Sequence, residues 1–335
     1  MTIATVDAIR ALPKLEMHIH LEGTFDPQLV ARLAEARGVP LQRPLDDLYD
    51  LSDIGAFLET LDWVCSLVAS TEEAQMVADN FGRRCRDEGI CYTEVIINPT
   101  HWAGLRYQEL LPALSATFDA VETDYGVDVR LLPSILRQQS AQEAEEMVAW
   151  MGERAAPRIV GLSVDGNEAA AGRTGERFAR AYAMARELGF GVTAHAGESS
   201  GADGVRDALD LLKVQRIDHG VRAADEPELL RRLVDEDITL NVCLRSNCSI
   251  LYPSIESHPF PQLLEAGVKM TLNTDDPVVL NTELCDELAW AAGIFDFTLE
   301  DIAAFQYRAV DSAFCDDTTR SALRERIGAA LAAMD

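Results

Sequence analysis

Cysteine is scattered in this sequence. Seven residues (Cys65, Cys85, Cys91, Cys243, Cys248, Cys285 and Cys315) are spread over 335 positions, an odd number with no C-x-x-C pair. That argues against a disulfide framework and a cysteine-built zinc finger. Positive charge is also short, with 29 Lys and Arg against 56 Asp and Glu and a net charge of -27. So acidic a chain repels nucleic-acid phosphates and anionic membrane surfaces, so neither is an expected partner. A neutral or cationic small molecule suits it better, although solubility alone also accounts for the acidity. No apolar run approaches the length of a membrane span. The opening MTIATVDAIRALPKLE has no long apolar stretch of the signal-peptide kind, so a cytoplasmic location is expected. No short repeat or low-complexity block occurs. The sequence carries no reading of oligomeric state.

What recurs is a short apolar run followed by an amphipathic helical pattern. Strand candidates are 14–18, 91–97, 129–135, 159–164, 191–195, 216–219, 238–243 and 269–273. Most are rich in Val, Ile, Leu or Thr, as strands covered on both faces should be. Helical stretches such as PQLVARLAEARG, TEEAQMVADNFGRRCRDEG and ERFARAYAMARELG lie between them. Gly38, Gly89, Gly189 and Gly267 follow helical patterns and can take the left-handed cap position. Eight strands alternating with helices predict a single (β/α)8 TIM barrel domain over residues 1–335. The competing open, doubly wound sheet would usually show a Gly-rich phosphate turn after its first strand, and none is present. Segment 21–90 is long, and extra helices over the barrel mouth are expected there, with LSDIGAFLETLDWVCSLVAS as one candidate. Segment 283–335 reads as further helices packed outside.

Barrel active sites lie where the strands end. His18 and His20 close the first strand candidate, and their i, i+2 spacing puts both on one face of an extended chain. Alone, an H-x-H is as readily two ordinary core or surface histidines. However, His195 follows GVTA, His219 closes RIDH, and Asp275 and Asp276 follow KMTLNT. Four of the six histidines therefore fall at strand ends. His18, His20, His195 and Asp275 make three imidazoles and a carboxylate, a donor set that suits one zinc ion per chain with a position open for water. Zinc lowers the pKa of a water it holds toward neutrality. Glu198, three residues after His195, can face the same cavity, and His219 is the remaining strand-end histidine, not needed as a ligand.

The segments MHIHLEGT, VDGNE, TAHAGE, RIDHGV, VCLRSN and LNTDDP resemble the adenosine deaminase family, in the same order and with similar gaps. The resemblance runs from about residue 10 to 320. It implies that His18, His20, His195 and Asp275 bind zinc and that Glu198 donates a proton to purine N1. It implies further that His219 orients and helps activate the water, that Asp276 meets N7, and that the Gly166 amide meets N3. In the departures, Leu244 stands where the family usually has Pro, and VDGNE replaces the commoner LAGDE. Glu22 stands where many adenosine enzymes carry an Asp that contacts the ribose, and Glu there also occurs in adenine deaminases. These changes touch the sugar side rather than the metal side.

The resulting expectation is zinc-dependent deamination of a 6-aminopurine. Adenosine or 2′-deoxyadenosine comes first, free adenine second, and a nucleoside modified at its 5′ group third. Another amidohydrolase activity would usually use two metals bridged by a carboxylated Lys after strand four, yet GLSVDG has no Lys. A barrel kept only for binding or signalling would usually have lost one of the site residues, and all are present. Asp276 reads alternatively as a structural loop cap, and Cys243 as a buried strand residue. His101 and His258 read as ordinary loop residues. Trp102 is expected either to line the pocket or to pack in the core or at the rim. Arg245 would bind an anionic part of the substrate or pair with one of the many acids.

Overall fold

The computed structural model describes residues 2–50 and 54–334. The strands are β1 Lys14–His20, β2 Ile90–Ile97, β3 Asp128–Leu136, β4 Gly161–Asp165, β5 Gly191–Val192, β6 His195–Ala196, β7 Arg216–His219, β8 Thr239–Val242 and β9 Lys269–Leu272. Every neighbouring pair is parallel, in the orders β1 to β5 and β6 to β9. β5 and β6 are the two ends of one stave. Between them Thr193 N donates to Leu162 O at 3.0 Å, and Ala194 O accepts from Asp218 N at 2.9 Å. The circle closes between β1 and the segment after β9. Ile19 and Asp275 form a parallel bridge there, with His20 N to Asp275 O at 2.8 Å and Asp275 N to His18 O at 3.2 Å. The result is the expected eight-staved barrel. β1 extends to His20, beyond the expected 14–18, because this closing contact supplies its last hydrogen bonds.

The staves are buried on both faces, as parallel strands under a helical coat must be. The helices start where their sequences provide caps. Ser70 with Glu73, Ser140 with Glu143, and Thr298 with Asp301 form reciprocal capping boxes that satisfy otherwise orphaned amides. Gly38, Gly89, Gly189 and Gly267 all have positive φ, as expected of helix-ending glycines. The long segment after β1 carries helices Pro27–Arg37, Ile54–Ser66 and Thr71–Asp87. Ile54–Ser66 lies at the mouth, where its Leu61 and Asp62 line the cavity. Residues 51–53 of the expected helix there lie outside the described residues. The C-terminal region forms helices Leu284–Phe295, Leu299–Ser312 and Asp317–Met334.

The two ends of the barrel differ. At the closed end, fully buried Arg216 pairs with Glu94 at 2.5 Å and donates to Ser312 O at 3.0 Å. Glu94 also accepts from Tyr92 Oη at 2.8 Å. Burial of such an ion pair gains little net stability, but removing one partner costs about 3–5 kcal/mol. The opposite end collects the C-terminal residues of the staves. No described helix is long and apolar enough to cross a membrane.

Candidate active site

His18 and His20 point the same way from β1, as the two-residue repeat of a strand requires. His195 begins β6, His219 ends β7, and Asp275 follows β9. All five side chains meet at the open end. His18 Nε2 lies 3.1 Å from Asp275 Oδ1, and His20 Nε2 lies 3.4 Å from the same oxygen. His20 and His195 face each other Nε2 to Nε2 at 3.0 Å. His219 Nε2 is 3.9 Å from Asp275 Oδ2 and 3.5 Å from Glu198 Oε1. His219 and Asp275 have φ of 62° and 68°. Such left-handed backbone on non-glycine residues costs on the order of 1–3 kcal/mol and tends to cluster at functional sites.

These residues fit a metal ion. His18 donates Nδ1–H to Asn241 O at 3.3 Å, and His195 donates Nδ1–H to Val164 O at 3.1 Å. Each ring therefore turns its Nε2 to the centre, where a metal would take its lone pair, and the Nδ1 bond is the usual outer support of a metal ligand. His18 Nε2 is buried with no hydrogen-bond partner among the described residues. Donor atoms of His18, His195, His219 and Asp275 all lie within 4.8 Å of one another, with His20 at their edge. Three of the four expected ligands are in that tightest group. Asp275 Oδ2 accepts from Ser246 Oγ at 2.6 Å, which aims the carboxylate.

The electrostatics point the same way. Burial opposes charge on His18, but the Asp275 carboxylate overcomes it and raises the imidazole to about 9. Burial likewise works against the Asp275 anion, yet His18, His219 and His20 hold it well below the usual carboxylate range. The Asp275 carboxylate is thus kept anionic among the imidazoles. Burial, reinforced by the neighbouring imidazoles, pushes His195 well down.

The cavity that these residues help to line has a volume of about 250 Å³. Gly166, with φ of 93°, lines it together with Glu22, Glu198 and Asp276. Burial raises Glu198, and the Asp275 and Glu168 carboxylates add to the shift. Asp276 is pushed well above its usual value by burial and then by Asp275 and Glu22, and its Oδ1 has no partner among the described residues. Burial raises Glu22 to about 7. Glu22 Oε1 accepts from Trp102 Nε1 at 2.7 Å and from Asn98 N at 2.8 Å, whereas Oε2 is unpartnered among the described residues. Trp102 is fully buried behind Glu22, so packing is its place rather than the lining. Arg245 pairs with Glu287 at 3.3 Å and lies over the Trp290 ring, so an acid holds it. Cys243 is buried, as expected.

Several contributors were not legible in the sequence. Glu168 accepts from the amides of Gly197, Glu198 and Ser200 at 3.0, 3.0 and 3.1 Å, and so shapes the loop bearing Glu198. Its place in VDGNE was the only signal. Gly23, in MHIHLEGT, leaves room for Asp276, because a Cβ there would lie 2.2 Å from Asp276 Oδ1. His101 is a lining residue, bonded to Asp62 at 2.5 Å, and not a bystander in its loop. His258 is likewise no ordinary loop residue, since it is buried against Asn247 behind His219. Neither contact has a local sequence pattern.

A closed parallel barrel with imidazoles and a carboxylate converging at its open end defines a metal-dependent amidohydrolase. Comparison with known proteins narrows this. Residues 13–330 match the family model described as adenosine deaminase. An adenine deaminase of Sinorhizobium fredii is 35% identical over 324 residues, covering 96% of this chain and 98% of the relative. The solved adenine deaminase of Arthrobacter aurescens superposes with a TM-score of 0.88 at 27% identity, covering 95% of this chain and 98% of that one. An amidohydrolase of Burkholderia ambifaria, solved with bound zinc, gives a TM-score of 0.89 at 29% identity, covering 98% and 93%. The chain belongs to the adenosine deaminase family and is a hydrolytic deaminase.

Proposed function

We propose that the aminopurine this enzyme deaminates is free adenine, converted with water to hypoxanthine and ammonia. This reverses the order in which the sequence ranks adenosine and adenine. The buried Oε2 of Glu22, unpartnered among the described residues, carries the reading. Free adenine has an N–H on its five-membered ring, and a carboxylate can accept from it. A nucleoside has carbon at that nitrogen and no proton to give. A buried acceptor left unmatched costs about 1–3 kcal/mol, and sites built to bond a substrate N–H reject analogues lacking it. The cavity is also smaller than the ~300–1,000 Å³ of pockets for drug-sized ligands. Relatives named adenine deaminase support the same choice.

His18, His20, His195 and Asp275 would hold one zinc ion per chain, which supplies a water of lowered pKa. Glu198, whose carboxyl burial pushes above its ordinary value, donates to N1 and makes C6 electrophilic. Asp276, held neutral, donates to N7, and the Gly166 amide faces N3. His219, beside Glu198 and Asp275, orients the attacking water toward C6. The C–O bond forms, and the C6–N bond breaks. The water's two protons restore Glu198 and complete the departing ammonia, while N1 keeps the proton it received.

The test is ammonia release from adenine, adenosine, 2′-deoxyadenosine and 5′-modified adenine nucleosides, with zinc counted per chain by elemental analysis. Adenine should exceed adenosine in kcat/KM by at least ~10³-fold. Equal or better turnover of a nucleoside overturns the substrate reading.

A further inference from the structure

We propose that Asn247 and His258 are positioning residues that hold His219 as a neutral imidazole with its proton on Nε2, the nitrogen beside Glu198. The deduction starts at a backbone amide. Phe260 opens the short helix Phe260–Glu265, where main-chain N–H groups lack intrahelical partners. Its N–H donates to His258 Nδ1 at 3.0 Å. A backbone amide can only donate, so His258 Nδ1 carries a lone pair and the ring proton sits on Nε2. That Nε2–H donates to Asn247 Oδ1 at 3.2 Å. The other end of the amide, Nδ2, faces His219 Nδ1 at 3.0 Å. Nδ2 also can only donate, so His219 Nδ1 is the acceptor and its proton is left on Nε2.

Turning the Asn247 amide over would bring its N–H groups against the His258 N–H. The chain therefore has one direction, set by a group that cannot reverse. All three side chains are buried, so water cannot easily mend a mismatch. Burial also depresses His258 to about 4, which keeps that ring neutral.

The contrast with the neighbouring rings gives this its meaning. His18 and His195 give Nδ1–H to carbonyls, which leaves Nε2 to face the metal in the loaded enzyme. His219 receives at Nδ1 and presents Nε2–H. Opposite tautomers are thus built into one cluster by contacts outside it. His219 then acts on the attacking water by donating a hydrogen bond to its oxygen, which leaves the oxygen's lone pair directed at C6, rather than by taking its proton. This rests on His219 serving the deamination proposed above.

The test uses the metal-loaded enzyme labelled with 15N-histidine, read by 15N–1H NMR at one pH and assigned with His219→Asn. The expected His219 pattern is a neutral ring protonated on Nε2. Asn247→Asp offers only acceptors, so the proton should move to Nδ1. The expected loss in kcat is about 10²-fold or more, with KM within about 3-fold and metal content unchanged. His258→Leu should lower kcat by about 10-fold. His258→Gln, whose amide again offers one acceptor and one donor, should recover most of that loss. A native His219 protonated on Nδ1, or folded Asn247→Asp and His258→Leu enzymes with kcat within 2-fold of native, overturns the proposal. If the variants fail to fold, the native spectrum still decides the tautomer. Failure of the deaminase reading looks different, because the native enzyme would then release no ammonia from any aminopurine.

Discussion

Replacing Gly23 with alanine would place a methyl group 2.2 Å from Asp276 Oδ1, 2.6 Å from its Cα and 2.7 Å from its Cβ. Ordinary contact begins near 3.4 Å, so the Asp276 carboxylate must retreat by about 1.2 Å. A rotamer change alone cannot relieve the clash, because the Cα is crowded as well. The shift passes to the adjoining Asp275, whose backbone is bonded to His18 and His20. A displacement near 1 Å in a positioned catalytic group costs about 10²-fold in rate. Overpacking of this size costs about 1–3 kcal/mol of stability, a fall of about 2–6 °C in Tm. Steady-state ammonia release, metal content and a thermal melt would be measured on Gly23→Ala. Gly293→Ala is the control, since its Cβ would meet nothing within 4 Å in helix Leu284–Phe295. The expected outcome is a loss of about 10²-fold in kcat/KM for Gly23→Ala and native activity for the control. Native kcat/KM in Gly23→Ala would refute the claim that this glycine exists to seat Asp276.

Glu198→Gln should keep the metal and lose about 10²- to 10⁴-fold in kcat, as removal of a proton donor does. Near-native turnover would take Glu198 out of the chemistry. Asp275→Ala should lower bound metal by elemental analysis, and Ser246→Ala should do so more weakly because it only aims the carboxylate. Unchanged metal in Asp275→Ala would remove that residue from the ligand set. Burial raises Glu287 from 4.5 to about 7, despite the Arg245 amide and charge beside it. A carboxyl raised in the folded state contributes stability in full below its unfolded value and loses it as pH rises through the folded one. Through this group the melting temperature should therefore decline as pH climbs from about 4.5 to about 7 and level off above that, and Glu287→Gln should flatten that decline. A pH–Tm slope unchanged by the substitution would contradict the assignment.

Most of the barrel was legible because its information is local. A strand such as Arg216–His219 announces itself by a run of residues that suit burial, and helix starts such as Ser70 with Glu73 by a four-residue pattern. The convergence of the histidines and Asp275 was legible for a related reason. The imidazoles stand at strand ends, and a parallel barrel brings every strand end to one rim whatever their separation in sequence.

Tertiary structure alone decided what lies one contact further out. Glu168 reaches back to the amides of the Glu198 loop, Gly23 yields space to Asp276, and Phe260 orders a proton through His258 and Asn247 to His219. His101 and His258 look alike as loop histidines, yet one faces the cavity and the other is sealed behind it. Sequence determined which groups could arrive at the rim, because periodicity and capping act over a few residues. Which nitrogen carries a proton, and which carboxyl stays neutral, depends on distances between segments tens to hundreds of residues apart, and only the closed barrel sets those.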